Sequence, residues 1–204
     1  MRSLGGHGIL SGPTMTVLRY GAGTLLAMAA GLGACEDEPD PPPEDPIPVD
    51  LIQYDRWTRV AEVERDVFGA ERPADAVCDE EGLLIESFGP DPVFEIQTDL
   101  CNYATIEQPT LVELRSGDTV SLRLWYYDLT APSPAEAHLA LAIDGQVEWE
   151  QLVPVPAPAT LLDEDLVIER ELPAGVPLQF HVHNHGFNSY ELISIEATPT
   201  GARE

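Results

Sequence analysis

The sequence contains no lysine, and its basic residues, ten in number, are all arginines. Thirty-six aspartates and glutamates stand against them, which gives a formal net charge of −26 at pH 7. A chain this acidic repels both nucleic-acid phosphates and anionic lipid headgroups. The composition therefore disfavours nucleic-acid binding and electrostatic docking on a membrane.

The sequence also lacks the common catalytic signatures. It has no Gly-x-Ser-x-Gly elbow, no His-Glu-x-x-His motif, no phosphate-binding loop and no dinucleotide fingerprint. Its acidic groups, such as Glu80-Glu81 and Asp163-Glu164-Asp165, are adjacent in sequence, which favours solvated loops over an opposed acid and base. The glycine and ligand spacing of a calcium loop are missing as well. The chain is therefore predicted not to be an enzyme.

Cysteine is scarce, and the first of the three cysteines lies at a sharp change in composition. Residues 20–34, directly before Cys35, are apolar or small, and Arg19 supplies a positive flank. At about 15 residues this segment is shorter than the ~20 that a transmembrane helix needs. The tetrapeptide Leu32-Gly33-Ala34-Cys35 is followed at once by an acidic stretch.

This tetrapeptide resembles the lipobox of bacterial lipoprotein signal peptides. The resemblance covers about the first 35 residues and implies cleavage before Cys35, lipidation of Cys35 and a membrane anchor made of acyl chains. The location it implies is the bacterial cell envelope, with the membrane and leaflet left open. Met1 and Met15 both remain open as the start. An ordinary secretory signal, or a buried helix with a chance cysteine, is the alternative.

The rest of the chain divides into a tether and one domain. We expect a signal peptide over 1–34, a lipidated tether over 35–50 and a folded domain over 51–204. The tether holds six prolines and seven carboxylates after Cys35, so it cannot bury a core and is predicted to be disordered and extended. At about 3.1 Å per residue it would span some 45 Å. The remaining length is that of a single domain.

Two cysteines, Cys78 and Cys101, remain once Cys35 is lipidated. In an oxidising envelope compartment an even pair indicates a disulfide. Metal ligation by two isolated thiols is the alternative.

From Val93 onward, apolar residues recur with a period of two, which is typical of β-strands. Asp144-Gly145 follows one such run and predicts a hairpin turn. The pattern predicts an all-β fold, an antiparallel sandwich of about eight strands. Residues 55–65 are less regular, and a strand is favoured there over a short helix. The expected apolar strand faces are Phe94, Ile96 and Thr98; Val120, Leu122, Leu124 and Tyr126; Leu139, Leu141 and Ile143; Ile168 and Leu172; and Leu178, Phe180 and Val182.

Two segments resemble the jelly-roll domains that serve as carbohydrate-binding modules and galactose-binding-like domains. The first is Gly117-Asp118-Thr119-Val120-Ser121-Leu122. The second runs from Pro173-Ala174-Gly175 through Phe180-His181-Val182-His183-Asn184-His185-Gly186 to Tyr190-Glu191-Leu192. The resemblance covers about 80 residues and implies a jelly-roll-like fold. It transfers no binding residue, because ligand loops differ between such domains.

Three histidines, His181, His183 and His185, are spaced by two, so a strand would point them all the same way. Three imidazoles on one face can supply ligands to Zn²⁺ or Cu²⁺. His138 begins another predicted strand and is a candidate fourth ligand. The alternative is that these polar residues face water, or that His185 belongs to a turn.

Trp125 and Tyr127 lie on the reverse of a predicted inner strand and are a candidate platform for stacking a sugar ring. The alternative is that residues 51–90 cover this face, with Trp57 and Phe68 packing on it.

These patterns favour a lipid-anchored envelope protein that displays a non-catalytic binding or structural module. Its ligand would be a protein, a glycan or a metal. A metal-handling lipoprotein using the four histidines is the second reading. A metal-dependent hydrolase on a jelly-roll scaffold is the third.

Overall fold

The computed structural model describes residues 46–89 and 91–201. The signal peptide, Cys35 and most of the tether lie outside these residues, so the expectations for them stay predictions. Within the described part, no helix has the length and apolarity required to cross a membrane. Three single-turn 3₁₀ helices occupy Tyr54–Arg56, Gly69–Glu71 and Glu80–Gly82. The strands are β1 (Val49–Asp50), β2 (Thr58–Arg59), β3 (Leu83–Phe88), β4 (Asp91–Gln97), β5 (Tyr103–Pro109), β6 (Thr119–Tyr126), β7 (Ala135–Ile143), β8 (Gln146–Val155), β9 (Thr160–Val167), β10 (Pro177–His183) and β11 (Ser189–Thr198).

The strands form two antiparallel sheets, which confirms the predicted all-β sandwich. Sheet I has the order β3-β4-β11-β6-β9, with β1 also paired to β11. Sheet II has the order β2-β5-β10-β7-β8. From β5 to β11 the chain crosses repeatedly between the sheets, and only β7 and β8 are joined as a hairpin within one sheet.

The core lies between the two sheets and is built from the alternation seen in the sequence. Val120, Leu122 and Leu124 of β6 are fully buried there, as are Leu178 and Phe180 of β10. The predicted hairpin turn is also present, because Asp144 and Gly145 both adopt positive φ between β7 and β8. Because the core side chains of β6 and β10 alternate with others, every second side chain of these strands lies on an outer face of the sandwich.

Three local predictions were wrong. Asp163-Glu164-Asp165 lies on strand β9 at the edge of sheet I rather than in a loop. Residues 168–172 are not a regular strand and contribute one isolated bridge, from Leu172 to Leu114. Residues 55–65 contain the end of a 3₁₀ helix, the two-residue strand β2 and turns, so the favoured strand forms at only two positions. Each error falls where few neighbours are available to pair with, so the local pattern did not decide the structure.

Cys78 and Cys101 form the expected disulfide. It closes one end of a segment, residues 60–78, that leaves β2 and crosses the outer face of sheet II. We call this segment the strap. Phe68 of the strap packs on Ala140 and Ala142 of β7, so the strap adds a third layer over part of the sandwich.

Candidate functional site

Trp125 and Tyr127 stand on the outer face of sheet I, on and just after strand β6. Their ring centroids are 6.0 Å apart and their planes are perpendicular. Tyr127 is 51% exposed, and Trp125 is half-buried. The two rings therefore form an open corner, in which a flat apolar ligand face can stack on one ring and contact the edge of the other.

A single row of residues crosses the outer face of sheet I at the level of Trp125. The strand register pairs Leu84 with Glu95, Glu95 with Glu191, Glu191 with Trp125, and Trp125 with Leu161. Directly opposed side chains in an antiparallel sheet are about 5 Å apart. Glu191 thus lies beside the indole ring and Glu95 lies one strand further along the row, a juxtaposition that the sequence pattern did not reveal.

Glu95 and Glu191 are buried despite their position on an outer face, with exposed fractions of 6% and 5%. Glu95 Oε1 accepts a hydrogen bond of 3.2 Å from Gln97 Nε2. Burial raises the pKa of the Glu191 carboxyl; the Tyr127 hydroxyl lowers this pKa, and the charges of Glu95 and Glu86 raise it further. Among the described residues, Glu191 Oε2 and Trp125 Nε1 have no hydrogen-bond partner. Buried polar atoms are rarely left without a partner in native proteins, so these two call for one that the described chain does not supply.

The expected cover of this face by Trp57 and Phe68 is wrong. Trp57 packs in the core between the sheets, 6.0 Å from the ring of Phe94. Phe68 packs on the outer face of sheet II. Neither aromatic ring covers the corner formed by Trp125 and Tyr127.

The histidines share the outer face of sheet II, as the alternation predicts. In the register of β10 and β7, His183 is paired with His138, and His181 is paired with Ala140. His185 follows the end of β10 and brings its Nε2 within 3.2 Å of His183 Nε2. His138 Nε2 lies 2.8 Å from Glu150 Oε1.

The strap buries the centre of this histidine group. His181 has no exposed surface, stacks on Phe68 with ring centroids 4.5 Å apart, and shares a 2.8 Å hydrogen bond between Nδ1 and Thr105 Oγ1. Burial, followed by the neighbouring charges of His138 and His183, holds the His181 pKa well below its ordinary value. The expectation that alternating polar residues here face water is therefore wrong for His181.

A metal site made of these histidines stays a prediction. Within residues 46–89 and 91–201, no group of three or more His, Cys, Asp or Glu side chains is arranged to hold a metal ion. The structure brings His183 and His185 together, and it places the rings of His138 and His181 4.9 Å apart. His181 also contacts Thr105, and His138 contacts Glu150. Burial and the charge of His185 lower the pKa of His183.

Asp66 fixes the strap to sheet II, and sequence reasoning did not single it out. Its Oδ2 lies 3.1 Å from Arg72 Nη2 and accepts a 2.8 Å hydrogen bond from the Tyr103 hydroxyl. Its Oδ1 accepts the backbone N–H of Phe68 at 3.0 Å. Burial and the Asp66 carboxylate raise the pKa of Tyr103. Both carboxylate oxygens of Asp66 and the Tyr103 hydroxyl are paired within this buried network, so we assign it a structural role.

An open cleft of about 430 Å³ lies at one end of the sandwich, beside His185. Phe187, which is 84% exposed, forms part of its wall. Two polar residues of this cleft are already engaged, since Asn102 bonds to the backbone of Val77 and Thr98 to that of Gly186. Phe187 is the one large apolar aromatic ring among the residues that line this cleft, whereas the face around Trp125 carries two such rings side by side.

No protein-family model and no curated protein sequence matches this chain. Solved structures with a similar fold include the CBM22-1–GH10 modules of a Clostridium thermocellum xylanase complexed with xylohexaose, at 10% identity and a TM-score of 0.43. This match covers 77% of the present chain and 29% of that one. A second is CBM51 from Clostridium perfringens in complex with methyl-galactose, at 12% identity, a TM-score of 0.36, and 74% and 99% coverage.

A third similar structure is an arabinose-bound α-L-arabinofuranosidase, at 9% identity, a TM-score of 0.42 and coverage of 75% of this chain. The present chain spans 27% of that protein and 29% of the xylanase modules. Similarity at this level carries no functional argument.

Proposed function

We propose that this chain is a lipid-anchored, non-catalytic module of the bacterial cell envelope that binds a glycan on the outer face of sheet I. The observation that carries the proposal is the open corner of Trp125 and Tyr127, with buried carboxylates beside it. Sugar rings present apolar C–H faces that stack on aromatic rings, and hydroxyl groups that need polar partners. Binding sites commonly combine such aromatic surface with a few well-placed polar groups.

The polar groups beside the corner suit a sugar. Glu191 Oε2 can accept a hydroxyl hydrogen bond, and Trp125 Nε1 can donate one, because neither has a partner within the described chain. Supplying these partners on binding would relieve two buried unsatisfied atoms.

The membrane anchor rests on the lipobox resemblance at Cys35 and on the acidic tether that follows it. In this arrangement the tether would hold the sandwich away from the bilayer and leave the binding face accessible to envelope polysaccharides. The strong negative charge of the chain also opposes close contact with an anionic surface.

Trp125→Ala is expected to weaken glycan binding about tenfold or more, because it removes one of the two rings that form the stacking corner. Affinity electrophoresis of the purified protein in gels containing xylan, hydroxyethyl cellulose, galactan or glycol chitosan measures this directly. The thermal unfolding midpoint of the variant should stay close to that of the wild type.

Phe187→Ala is the matched control, since it removes an exposed aromatic ring at the other candidate location. This variant should bind as the wild type does. Retardation lost in Phe187→Ala and kept in Trp125→Ala would move the site to the end of the sandwich. Absence of binding to all four polysaccharides would refute the glycan proposal.

Cys35→Ser is expected to abolish acylation. Growth with a labelled fatty acid should label the wild-type chain and leave the variant unlabelled, and the variant should be found as unprocessed precursor or in the soluble fraction. Wild-type protein that never acquires the label would show that the lipobox reading is wrong.

A further inference from the structure

The groups around Trp125 are rich in hydrogen-bond acceptors and negative charge. Glu191 is buried next to Glu95, and the charge of Glu86 also acts on it. Arg123, two residues before Trp125 on the same strand face, already lies 3.6 Å from Asp163. Positive charge from this arginine is therefore shared with another carboxylate rather than supplied to Glu191.

Such a site suits a ligand that brings positive charge and several donors. An ammonium group carries three N–H donors and no acceptor, which complements the unpartnered Glu191 Oε2. It would also offset the mutual repulsion of Glu95 and Glu191, which a neutral hydroxyl cannot do. Aromatic ring faces attract cations as well, so Trp125 and Tyr127 favour the same ligand.

A metal ion is a poorer occupant of this face. In the part of the chain that the structure describes, no three carboxylates, histidines or cysteines are arranged to hold one. The neighbouring aromatic rings supply no metal ligands, whereas they do supply stacking surface for a sugar ring.

We infer that the glycan bound at Trp125 and Tyr127 is an amino-sugar polymer with free amino groups, held by an ammonium-to-carboxylate contact at Glu191. This inference rests on the glycan-binding function proposed above and names the class of its ligand. The sugar ring stacks in the aromatic corner, and its protonated amine points to Glu191 and Glu95.

The test compares short oligosaccharides of equal length by calorimetry. A glucosamine hexamer should bind the wild type about tenfold more tightly than either the N-acetylglucosamine hexamer or xylohexaose, because a charge-assisted hydrogen bond replaces a neutral one. The preference should disappear at alkaline pH, where the amine is uncharged.

Glu191→Gln retains the size of the side chain and one acceptor oxygen, and it removes the charge. It should lower the affinity for the glucosamine hexamer about tenfold and leave the affinity for xylohexaose nearly unchanged. Glu62→Gln, which removes an exposed carboxylate on the strap, is the matched control and should change neither affinity. Equal weakening in the two variants would mean that general negative charge attracts the oligomer, and would overturn the inference.

Three further outcomes distinguish a failure of this inference from a failure of the function on which it rests. Tighter binding of xylohexaose than of the glucosamine hexamer, lost in Trp125→Ala, would overturn the amino-sugar assignment and leave glycan binding in place. Trilysine binding as tight as that of the glucosamine hexamer and insensitive to Trp125→Ala would indicate a cationic peptide contact and overturn the inference. Binding of none of these oligosaccharides would overturn both.

Discussion

Replacing Asp66 with alanine is expected to destabilise the protein by about 3–4 kcal/mol, in the range measured when one partner of a buried ion pair is removed. The Asp66 side chain is fully buried, whereas 21% of the Arg72 side chain reaches solvent, so the expected loss lies toward the lower end of that range. The substitution also leaves the Tyr103 hydroxyl with a single acceptor, the carbonyl of Phe68. Chemical denaturation measures the change as a shift of the transition midpoint.

The loss of stability in Asp66→Ala should be concentrated in the strap. Amide hydrogens of residues 66–69 should exchange faster in Asp66→Ala, while those of the core strands β6 and β10 change less. Glu62→Ala is the matched control, because Glu62 lies on the same segment in an exposed pair with Arg65 at 3.5 Å. Exposed ion pairs contribute little to the free energy of unfolding, so the free energy of unfolding of this control should stay within about 0.5 kcal/mol of the wild-type value. Equal stability of Asp66→Ala and the control would contradict the anchoring role.

Removing the disulfide with Cys78→Ala and Cys101→Ala together is expected to lower stability by roughly 3 kcal/mol. The bond closes a loop of about 24 residues, and the chain-entropy model gives this value for a loop of that length. For a domain of this size the loss corresponds to a fall of roughly 10 °C in the thermal midpoint. Scanning calorimetry of the isolated wild type and the double variant measures it.

Reducing the disulfide of the wild type separates the effect of the crosslink on stability from the effect of losing two sulfur atoms. The reduced protein keeps both side chains, so its midpoint should fall nearly as far as that of the double variant. A reduced wild type that melts at the oxidised midpoint would show that the loop is constrained by its other contacts. Those contacts include the 2.6 Å hydrogen bond from Arg59 Nη1 to the Cys78 carbonyl.

Much of the fold could be predicted because strand alternation is a local property. The buried faces of β6, β7 and β10 could be predicted because every second residue is apolar. The turn at Asp144-Gly145 could be predicted because both residues tolerate positive φ. Strands β3, β5 and β9 were not predicted, and two of them, β3 and β9, lie at the edges of sheet I. At an edge, one side of the strand and part of its surface face solvent, so the apolar alternation that marks an inner strand is weak.

The candidate site could be predicted only in part. Trp125 and Tyr127 were identified from their shared position on one strand face, which needs no partner strand. Glu95 and Glu191 were not identified, because they become neighbours through the pairing of β4 with β11. Nothing near either residue in the chain distinguishes it from the many solvated carboxylates of this acidic sequence.

The sequence by itself determined the class of fold, the pairing of Cys78 with Cys101 and the common direction of His181 and His183. Each depends on spacing, or on the number of cysteines available. Only the tertiary structure decided which face is covered and which is open. The strap lies over His181 and not over Trp125, because Asp66, Val67 and Phe68 find their partners on sheet II. Such partners come from distant parts of the chain, so burial of an outer face is a property of the assembled sandwich.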